Sequence, residues 1–300
     1  MHSRLYARTG TAAPELRLSR EARMGDLLPA DAPDRLEASG VLAADGRFYV
    51  VCDNLRAVAM IDQDLDRVDG NSLIRTPHDG QGYEDLARDP VTGYRYLLIE
   101  AKRRGDAYMA RVEEYDERWR LVADSWLEAL LPSSNKGIEG LECVRRDGTT
   151  YLLGVCEGNR NRDGRAGQRP GGGRILVFRR GAHNWQHDAT IELPETLEFA
   201  DYSGMSIVDG RIAVISQESS AVWAGALAPG AWAVTGPGRT YLFPRDAHGN
   251  ITYCTPEGVC WLGSDEVVVV SDRAKEQSQP RRCQDKDQSL HIFAIPGDAG

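Results

Sequence analysis

The sequence predicts an all-β protein that folds as a five-bladed β-propeller, and two features of the chain predict it. The first is a repeat. A segment that begins with an acidic residue and runs into a short apolar strand occurs at EASGV, EDLA, EGLE, DYSGM and EGVC. These copies begin at residues 37, 84, 139, 201 and 257, and the distances between them are close to the length of one four-stranded blade.

The second feature is a hairpin signal in each copy. Nine residues after its acid, each copy reaches a turn, at Gly46, Gly93, Gly148 and Gly210, with Glu266 in the fifth. Glycine accepts the positive φ that tight hairpin turns require. A second strand follows each turn, in the runs RFYVVCD, RYLLIEA, TYLLGVCE, RIAVISQE and EVVVVSD. Their Val, Ile, Leu and Tyr residues are typical of buried strands.

Further strands complete the predicted blades. Third strands are expected at AVAMIDQ, AYMARVEEY, RILVFRR, AVWAGAL and LHIFAIP, and fourth strands at NSLIRTP, LVADSWL, DATIELP and RTYLFP. The fifth copy ends after its third strand, so we expect an N-terminal strand, RLYAR or ELRLS, to close the last blade. Six blades remain an alternative because the first 36 residues have room for a degenerate copy, and a β-sandwich is the alternative architecture. DSWLEALL is the best candidate for a short helix.

Composition limits the partners and the compartment. Residues 1–300 are expected to form a single domain, and a formal net charge of −9 argues against nucleic acid as a partner. The sequence contains no apolar run long enough for a membrane helix, and residues 1–19 lack the apolar core of a secretory signal. We therefore expect a cytoplasmic monomer without a membrane partner.

Six cysteines are expected to be free thiols in that compartment. Cys52, Cys143, Cys156 and Cys260 lie in apolar runs, where cysteine behaves as a small hydrophobic residue. A bridge between Cys143 and Cys156 across a hairpin is disfavoured in a reducing compartment. No spacing among the cysteines and histidines fits a zinc site.

The repeats should gather carboxylates at one end of the central channel. Because the first two strands of a blade are antiparallel, the start of the first and the end of the second lie on the same face. The first-strand acids are Glu37, Glu84, Glu139, Asp201 and Glu257. The second strands end at Asp53, Glu100, Glu157, Glu218 and Asp272.

Crowded carboxylates repel unless a cation or hydrogen-bond donors lie between them. Hard oxygen ligands suit Ca²⁺, with Mg²⁺ less favoured because it demands stricter geometry. We therefore predict that the five first-strand acids bind a metal ion at the channel mouth. In the alternative, the acids accept hydrogen bonds from backbone N–H groups of the next blade and only hold the ring together.

Other polar residues near this face are candidates for catalysis and substrate binding. Glu100 or Glu157 is the predicted general base, and Lys102 and His78 are further catalytic candidates. The predicted contacts to a small anionic substrate are Arg160, Lys136, Tyr83 and Tyr202. Serine-hydrolase and zinc-protease motifs are missing from the sequence.

The repeats EASGV, GYEDLA, KGIEGL, DYSGMS and PEGV, each followed by a hairpin and an acid-terminated strand, resemble two groups of bacterial propellers. These are the SdiA-regulated proteins and the esterase-like phytase-type propellers, and the resemblance covers roughly residues 35–295. It implies a calcium-dependent hydrolase that acts on esters or phosphoesters. No individual catalytic residue of the family carries over to this sequence.

The leading functional hypothesis is a Ca²⁺-dependent enzyme that hydrolyses an ester or phosphoester of a small anionic molecule. The second is a non-catalytic propeller that binds a ligand or peptide and uses metal structurally, since one fold hosts many functions. The third is a lyase or cyclase of small-molecule biosynthesis, in which the same acids transfer protons. Turnover of a broad ester and phosphoester panel separates the first from the second.

Overall fold

The protein is a five-bladed β-propeller, as the computed structural model shows for residues 13–77, 82–134, 136–273 and 279–297. The described chain starts with β1 (Arg17–Arg23) and the helical turn α1 (Met24–Leu27). Blade 1 contains β2 (Ala38–Ala44), β3 (Arg47–Cys52), β4 (Leu55–Asp62) and β5 (Ser72–Arg75). Blade 2 contains β6 (Leu86–Arg88), β7 (Arg95–Arg104), β8 (Ala107–Tyr115) and β9 (Leu121–Leu131).

The remaining blades follow in chain order. Blade 3 contains β10 (Ile138–Arg146), β11 (Thr149–Cys156), β12 (Arg174–Arg180) and β13 (Trp185–Glu192). Blade 4 contains β14 (Gly204–Val208), β15 (Arg211–Ser216), β16 (Ala221–Leu227) and β17 (Val234–Leu242). Blade 5 contains β18 (Pro256–Leu262), β19 (Glu266–Ser271), β20 (Ser289–Ala294) and β1. The other helical segments are a 3₁₀ turn (Asn159–Asn161), α2 (Gly164–Gly167) and α3 (Arg281–Gln284).

The first strand of each blade lines the channel, and neighbouring first strands contact each other around a closed ring. Glycines allow this close approach. A Cβ atom on Gly140 would lie 2.6 Å from the amide nitrogen of Met205, and one on Gly258 would lie 2.8 Å from the Cα of Gly40. The inner strands therefore pack backbone against backbone.

The predicted hairpin turns at Gly46, Gly93, Gly148 and Gly210 are confirmed, whereas the fifth turn lies at residues 263–265, just before Glu266. Asp45 and Gly46 both have positive φ, of 53° and 73°, and Asp147 and Gly148 repeat this geometry at 49° and 73°. Two successive left-handed residues form the tight turn that matches the twist of the two strands. The Asp-Gly pairs in the sequence therefore mark the inner hairpins correctly.

The prediction that an N-terminal strand closes the last blade is also confirmed. β1 pairs antiparallel with β20, with Arg17 opposite Ala294 and Glu21 opposite His291. The closing strand overlaps the ELRLS alternative, and RLYAR lies outside the described residues.

Two expectations about local structure are wrong. DSWLEALL is not a helix: it lies in β9, because its outer-strand hydrogen bonds to β8 outweigh the modest helix preference of Leu, Ala and Glu. Cys254 and Cys283 are not free thiols, since they form a disulfide with Cα atoms 5.5 Å apart. The other four cysteines are free and buried, as expected. No helix among the described residues has the length and apolar character to cross a membrane.

Candidate cation-binding cavity

An acidic cavity of about 340 Å³ opens where the inner strands begin and the second strands end. Eight of its ten lining residues are carboxylates: Glu37, Asp53, Glu84, Glu100, Glu139, Glu157, Glu257 and Asp272. Ala38 and Ser39 complete the lining. The structure thus brings together four of the five first-strand acids and four of the five second-strand acids that the repeat singled out.

β-Bulges aim the first-strand side chains into this cavity. The pairing of β10 with β11 shifts register between Ile138 and Gly140, so that Glu139 occupies the bulge. The same shift flanks Ser39 in blade 1, between Ala38 and Gly40. A bulge adds one unpaired residue and redirects its side chain. Ser39 therefore takes in blade 1 the place that Glu139 takes in blade 3, and Glu37 lies two residues earlier.

Three of the first-strand acids form no ion pair with any residue that the structure describes. Glu84 is only 8% exposed, and its carboxylate makes no hydrogen bond or ion pair with another described residue. The carboxylates of Glu139 and Glu257, which also line the cavity, likewise make no hydrogen bond or ion pair with another described residue. A buried charge without a partner is costly, so these groups require either a proton or a cation.

The pKa shifts follow from this crowding. Burial, followed by the charges of Glu100 and Asp53, raises the pKa of Glu84 to about 8. Burial and the charge of Glu157 raise the pKa of Glu100 to about 7. Burial also raises the pKa of Glu139 and of Glu257 well above the ordinary carboxyl range, and neighbouring carboxylates add to it. The cavity therefore favours protons or cations at neutral pH.

One group of carboxylates has the spacing of a metal site. Glu100, Glu139 and Glu157 each offer one oxygen, and these three oxygens lie within 4.8 Å of one another. Three carboxylate oxygens at this spacing fit around a hard divalent cation such as Ca²⁺ or Mg²⁺. This set differs from the predicted one, because two of its members come from second strands.

The two candidate lysines are not among the lining residues of the cavity, but both interact with its carboxylates. Lys136 forms an ion pair with Glu157. Burial and the charge of Arg56 lower the pKa of Lys102, while Glu100 and Glu84 act in the opposite direction. Both ammonium groups thus belong to the electrostatic surroundings of the carboxylates. His78 lies outside the described residues.

Asp201 does not line the acidic cavity. Its carboxylate accepts hydrogen bonds from the Ser216 hydroxyl and from the backbone N–H of Glu218, so its charge is already satisfied within blade 4. Glu218 itself is exposed. The prediction that Asp201 is a metal ligand is therefore not supported by its contacts, and blade 4 contributes no carboxylate to the cavity lining.

Neither predicted tyrosine reaches the cavity. Tyr83 is fully buried, and its hydroxyl donates to Oε2 of Glu113 at 2.6 Å. Tyr202 is also fully buried and donates to Oδ1 of Asn159 at 3.0 Å. Both rings belong to the core, since an apolar ring gains more from burial between blades than from exposure at the rim.

Arg160 also points elsewhere. Its guanidinium donates to the carbonyl oxygens of Arg169 and Gly171, which belong to the loop between β11 and β12. Asn159 organises this loop: its side-chain N–H₂ donates to the carbonyl oxygens of Gly167 and Phe199, both at 3.0 Å. The predicted substrate contact is thus a contact within the loop.

Two other acids hold neighbouring blades together. Asp85 accepts hydrogen bonds from the N–H groups of Leu86 at 2.8 Å and Leu141 at 2.7 Å, which joins blade 2 to blade 3. Glu142 accepts from the N–H of Ile207 at 3.0 Å, which joins blade 3 to blade 4. The structural alternative considered for the first-strand acids is therefore carried by different residues. The sequence held a signal for these two residues, since EDLA and EGLE each contain a second acid, Asp85 and Glu142.

Comparison with known proteins agrees with the fold. No family model matches the chain, and no curated protein matches it either. Among solved structures, it is similar to the PQQ-bound aldose sugar dehydrogenase of Streptomyces coelicolor, with a TM-score of 0.53 and 12% identity over 94% of this chain and 99% of that one.

Two glycosidases give similar values. The GH43_1 enzyme of Xanthomonas citri in complex with xylotriose has a TM-score of 0.51 and 12% identity, over 93% of this chain and 91% of that one. A GH43 β-xylosidase/α-arabinofuranosidase from a compost microbial metagenome has a TM-score of 0.51 and 12% identity, over 95% and 96% of the two chains. At such low identity these similarities establish the propeller fold alone, because one fold hosts many different chemistries.

Proposed function

We propose that the protein is an enzyme that requires a divalent cation, with Ca²⁺ as the favoured ion, and that hydrolyses an ester or phosphoester of a small anionic molecule. The observation that carries this proposal is the trio Glu100, Glu139 and Glu157, whose oxygens lie within 4.8 Å of one another in a cavity lined by eight carboxylates. The resemblance of the repeats to SdiA-regulated and phytase-type propellers also supports it.

The cation explains how an acidic cavity accepts an anion. Carboxylates alone would repel a phosphate or carboxylate group, whereas a cation held by three of them attracts it. A bound divalent cation would supply Lewis-acid polarisation of the substrate oxygen and a lower pKa for water. Lys136, which is paired with Glu157, orients that carboxylate.

Glu84 is the best placed proton acceptor among the cavity acids. It is nearly buried, has no hydrogen-bond partner among the described residues, and its pKa is raised to about 8 by burial and by Glu100. A group whose pKa lies near neutrality transfers protons efficiently. The proposal therefore exchanges two roles expected from the sequence, with Glu100 holding the cation and Glu84 acting as the base.

The first test is elemental analysis of the purified protein, together with thermal unfolding in Ca²⁺ and in EDTA. We expect about one bound Ca²⁺ for the trio, with a melting temperature that falls on chelation, because bound ligand stabilises only the folded state. Glu139→Gln should abolish this shift. Glu218→Gln, which changes an exposed carboxylate outside the cavity lining, is the matched control.

Activity is tested separately, with p-nitrophenyl esters and phosphoesters in the presence of Ca²⁺. Turnover that is lost in Glu139→Gln and kept in Glu218→Gln would support hydrolysis. Calcium binding without turnover across the panel would instead support the non-catalytic binding protein. Absence of any cation effect at millimolar Ca²⁺ would contradict the proposal as a whole.

The surplus of carboxylates over one metal trio favours a second candidate, in which a small organic cation is the substrate of a lyase or cyclase. Five carboxylates of the lining lie outside the trio: Glu37, Asp53, Glu84, Glu257 and Asp272. Competition between spermidine and Ca²⁺ for binding distinguishes this candidate from the first. Spermidine binding that survives Glu139→Gln would favour it.

The disulfide bears on the compartment in which the proposed enzyme would act. A cytoplasmic location remains a prediction from the sequence, and the disulfide between Cys254 and Cys283 argues against it, because such bonds are rare in reducing compartments.

A further inference from the structure

The opposite end of the channel opens into a second, larger cavity of about 570 Å³. It forms where the inner strands end and the hairpins begin, and it shares no lining residue with the acidic cavity. Its volume lies within the range of small-molecule binding sites. The proposed hydrolase chemistry does not use this cavity.

The walls of this hairpin-end cavity are largely apolar. Leu42, Val144, Ile207 and Trp261 line it, and they come from four different blades. An apolar surface of this kind gains free energy when a ligand removes it from water, by roughly 25 cal/mol per Å². The shape and chemistry of the walls therefore suit an apolar ligand body.

Most polar groups of the lining are already occupied. Glu142 accepts hydrogen bonds from Ser206 Oγ at 3.1 Å and from the backbone of Ile207 at 3.0 Å. Nε and Nη2 of Arg145 both donate hydrogen bonds to the carboxylate of Asp89, and the shorter of the two, from Nη2, is 2.9 Å long. These two side chains are satisfied within the protein.

Arg88 is different. It lines the cavity and is half-buried, yet its guanidinium forms no hydrogen bond with any described residue. Among the described residues its ion-pair partner is the largely exposed Asp45, whose Oδ2 lies 3.6 Å away. A guanidinium has five N–H donors and is the preferred side chain for gripping a planar carboxylate. The terminal NH₂ groups of Arg88 are therefore left to a ligand in the apolar cavity.

We propose that the hairpin-end cavity binds a small amphipathic carboxylate, whose anionic head pairs with Arg88 and whose apolar body packs against Leu42, Val144, Ile207 and Trp261. The head displaces the long contact between Arg88 and Asp45. Arg145 and Glu142 are already engaged within the protein, which leaves Arg88 as the partner for the anionic head.

The test uses octanoate as the probe and 1-octanol as its uncharged analogue, with binding followed by calorimetry on the full chain. We expect saturable octanoate binding by the wild-type protein that weakens at least tenfold in Arg88→Gln. Octanol binding should change little in that variant. Arg103→Gln, which removes a largely exposed arginine outside the cavity lining, controls for net charge.

A second variant fills the cavity. Ala228→Phe places a ring in the lining and should weaken octanoate and octanol alike, whereas Ala233→Phe, at an exposed position nearby, should weaken neither. Circular dichroism and melting temperature establish that each variant is folded. Equal octanoate affinity in wild type and Arg88→Gln, unchanged affinity in Ala228→Phe, or no binding of octanoate by the wild type at millimolar concentration would each overturn the proposal.

Discussion

Oε2 of Glu21, on the strand β1 that closes blade 5, lies 3.1 Å from Nδ1 of His291 on the neighbouring strand β20. A carboxylate only accepts hydrogen bonds at neutral pH, so Nδ1 is the donor, and Nε2 of the same ring accepts from Ser271 Oγ at 3.0 Å. Ser271 and His291 are 1% and 0% exposed, so this hydroxyl–imidazole–carboxylate chain has no access to a substrate. It joins the first strand of the chain to the last two.

Glu21→Gln should therefore weaken ring closure. The change removes the charge that His291 and Lys286 contact, and a hydrogen bond to a charged group contributes about 2 kcal/mol. We expect a loss of this size in urea unfolding at pH 7. Glu218→Gln, at an exposed position between β15 and β16, is the control, and equal stability losses in both variants would contradict the assignment.

The pH dependence of this contribution has a defined sign. Hydrogen bonds from His291 and Lys286 lower the pKa of Glu21 to about 2, below its ordinary 4.5, and burial lowers the pKa of His291. For both groups the stability is present at neutral pH and is lost on acidification, below about 6.5 for His291 and between 4.5 and 2 for Glu21. The stability difference between wild type and Glu21→Gln should shrink only as the pH falls from 4.5 to 2, where Glu21 of the wild type takes up its proton.

Asp85→Ala should destabilise the ring without affecting cation binding. The substitution leaves the N–H groups of Leu86 and Leu141 without their acceptor, which costs about 3 kcal/mol for two buried donors. Calorimetric titration with Ca²⁺ should give an unchanged affinity, since Asp85 is not in the cavity lining. Asp106→Ala, at a fully exposed position, should change neither quantity.

Tyr83→Phe tests whether this tyrosine is structural or contacts the substrate. The carboxylate of Glu113 that accepts its hydroxyl also accepts the Tyr115 hydroxyl and Nη1 of Arg56, both at 2.8 Å, inside the interface of blades 1 and 2. We expect the free energy of unfolding to fall by about 1 kcal/mol, with KM unchanged once a substrate is in hand. A raised KM at unchanged stability would instead place Tyr83 in the substrate site.

Reduction of the disulfide should lower stability measurably. Cys254 and Cys283 close a chain segment with a sequence separation of 29, for which the loss of chain entropy in the unfolded state corresponds to about 3.6 kcal/mol. A reducing agent should lower the melting temperature of the wild type to that of the Cys254→Ser/Cys283→Ser double variant. The double variant should not respond to the reducing agent, and a response there would point to another cause.

The blades could be predicted from the sequence because each turn and strand is specified by residues adjacent in the chain. Turn residues such as Asp45 and Gly46 define their own backbone geometry, and acids such as Glu84 and Glu139 repeat in phase with them. Glu37 also lines the cavity, as the repeat indicates, and a bulge adds Ser39 two residues later. Asp201 could not be assigned in this way, because its contacts with Ser216 and Glu218 are not marked by the repeat.

Contacts between distant segments were harder to anticipate. Tyr83 finds Glu113 and Cys254 finds Cys283 only after the blades are assembled, and no periodicity in the chain marks these pairs. The availability of Arg88 likewise depends on which carboxylates its neighbours have engaged, a property of side-chain packing rather than of spacing.

The pairing of β1 with β20 also determines when the fold can be completed during synthesis. Blades 1 to 4 are built from strands adjacent in sequence, so they can form while the chain emerges from the ribosome. One edge of β20 pairs with β19. The other edge stays open until residues 17–23, from the opposite end of the sequence, pair with it. A nascent chain that has lost this N-terminal strand would present an open β-edge to other chains, and aggregation rather than gradual loss of order would be the expected failure.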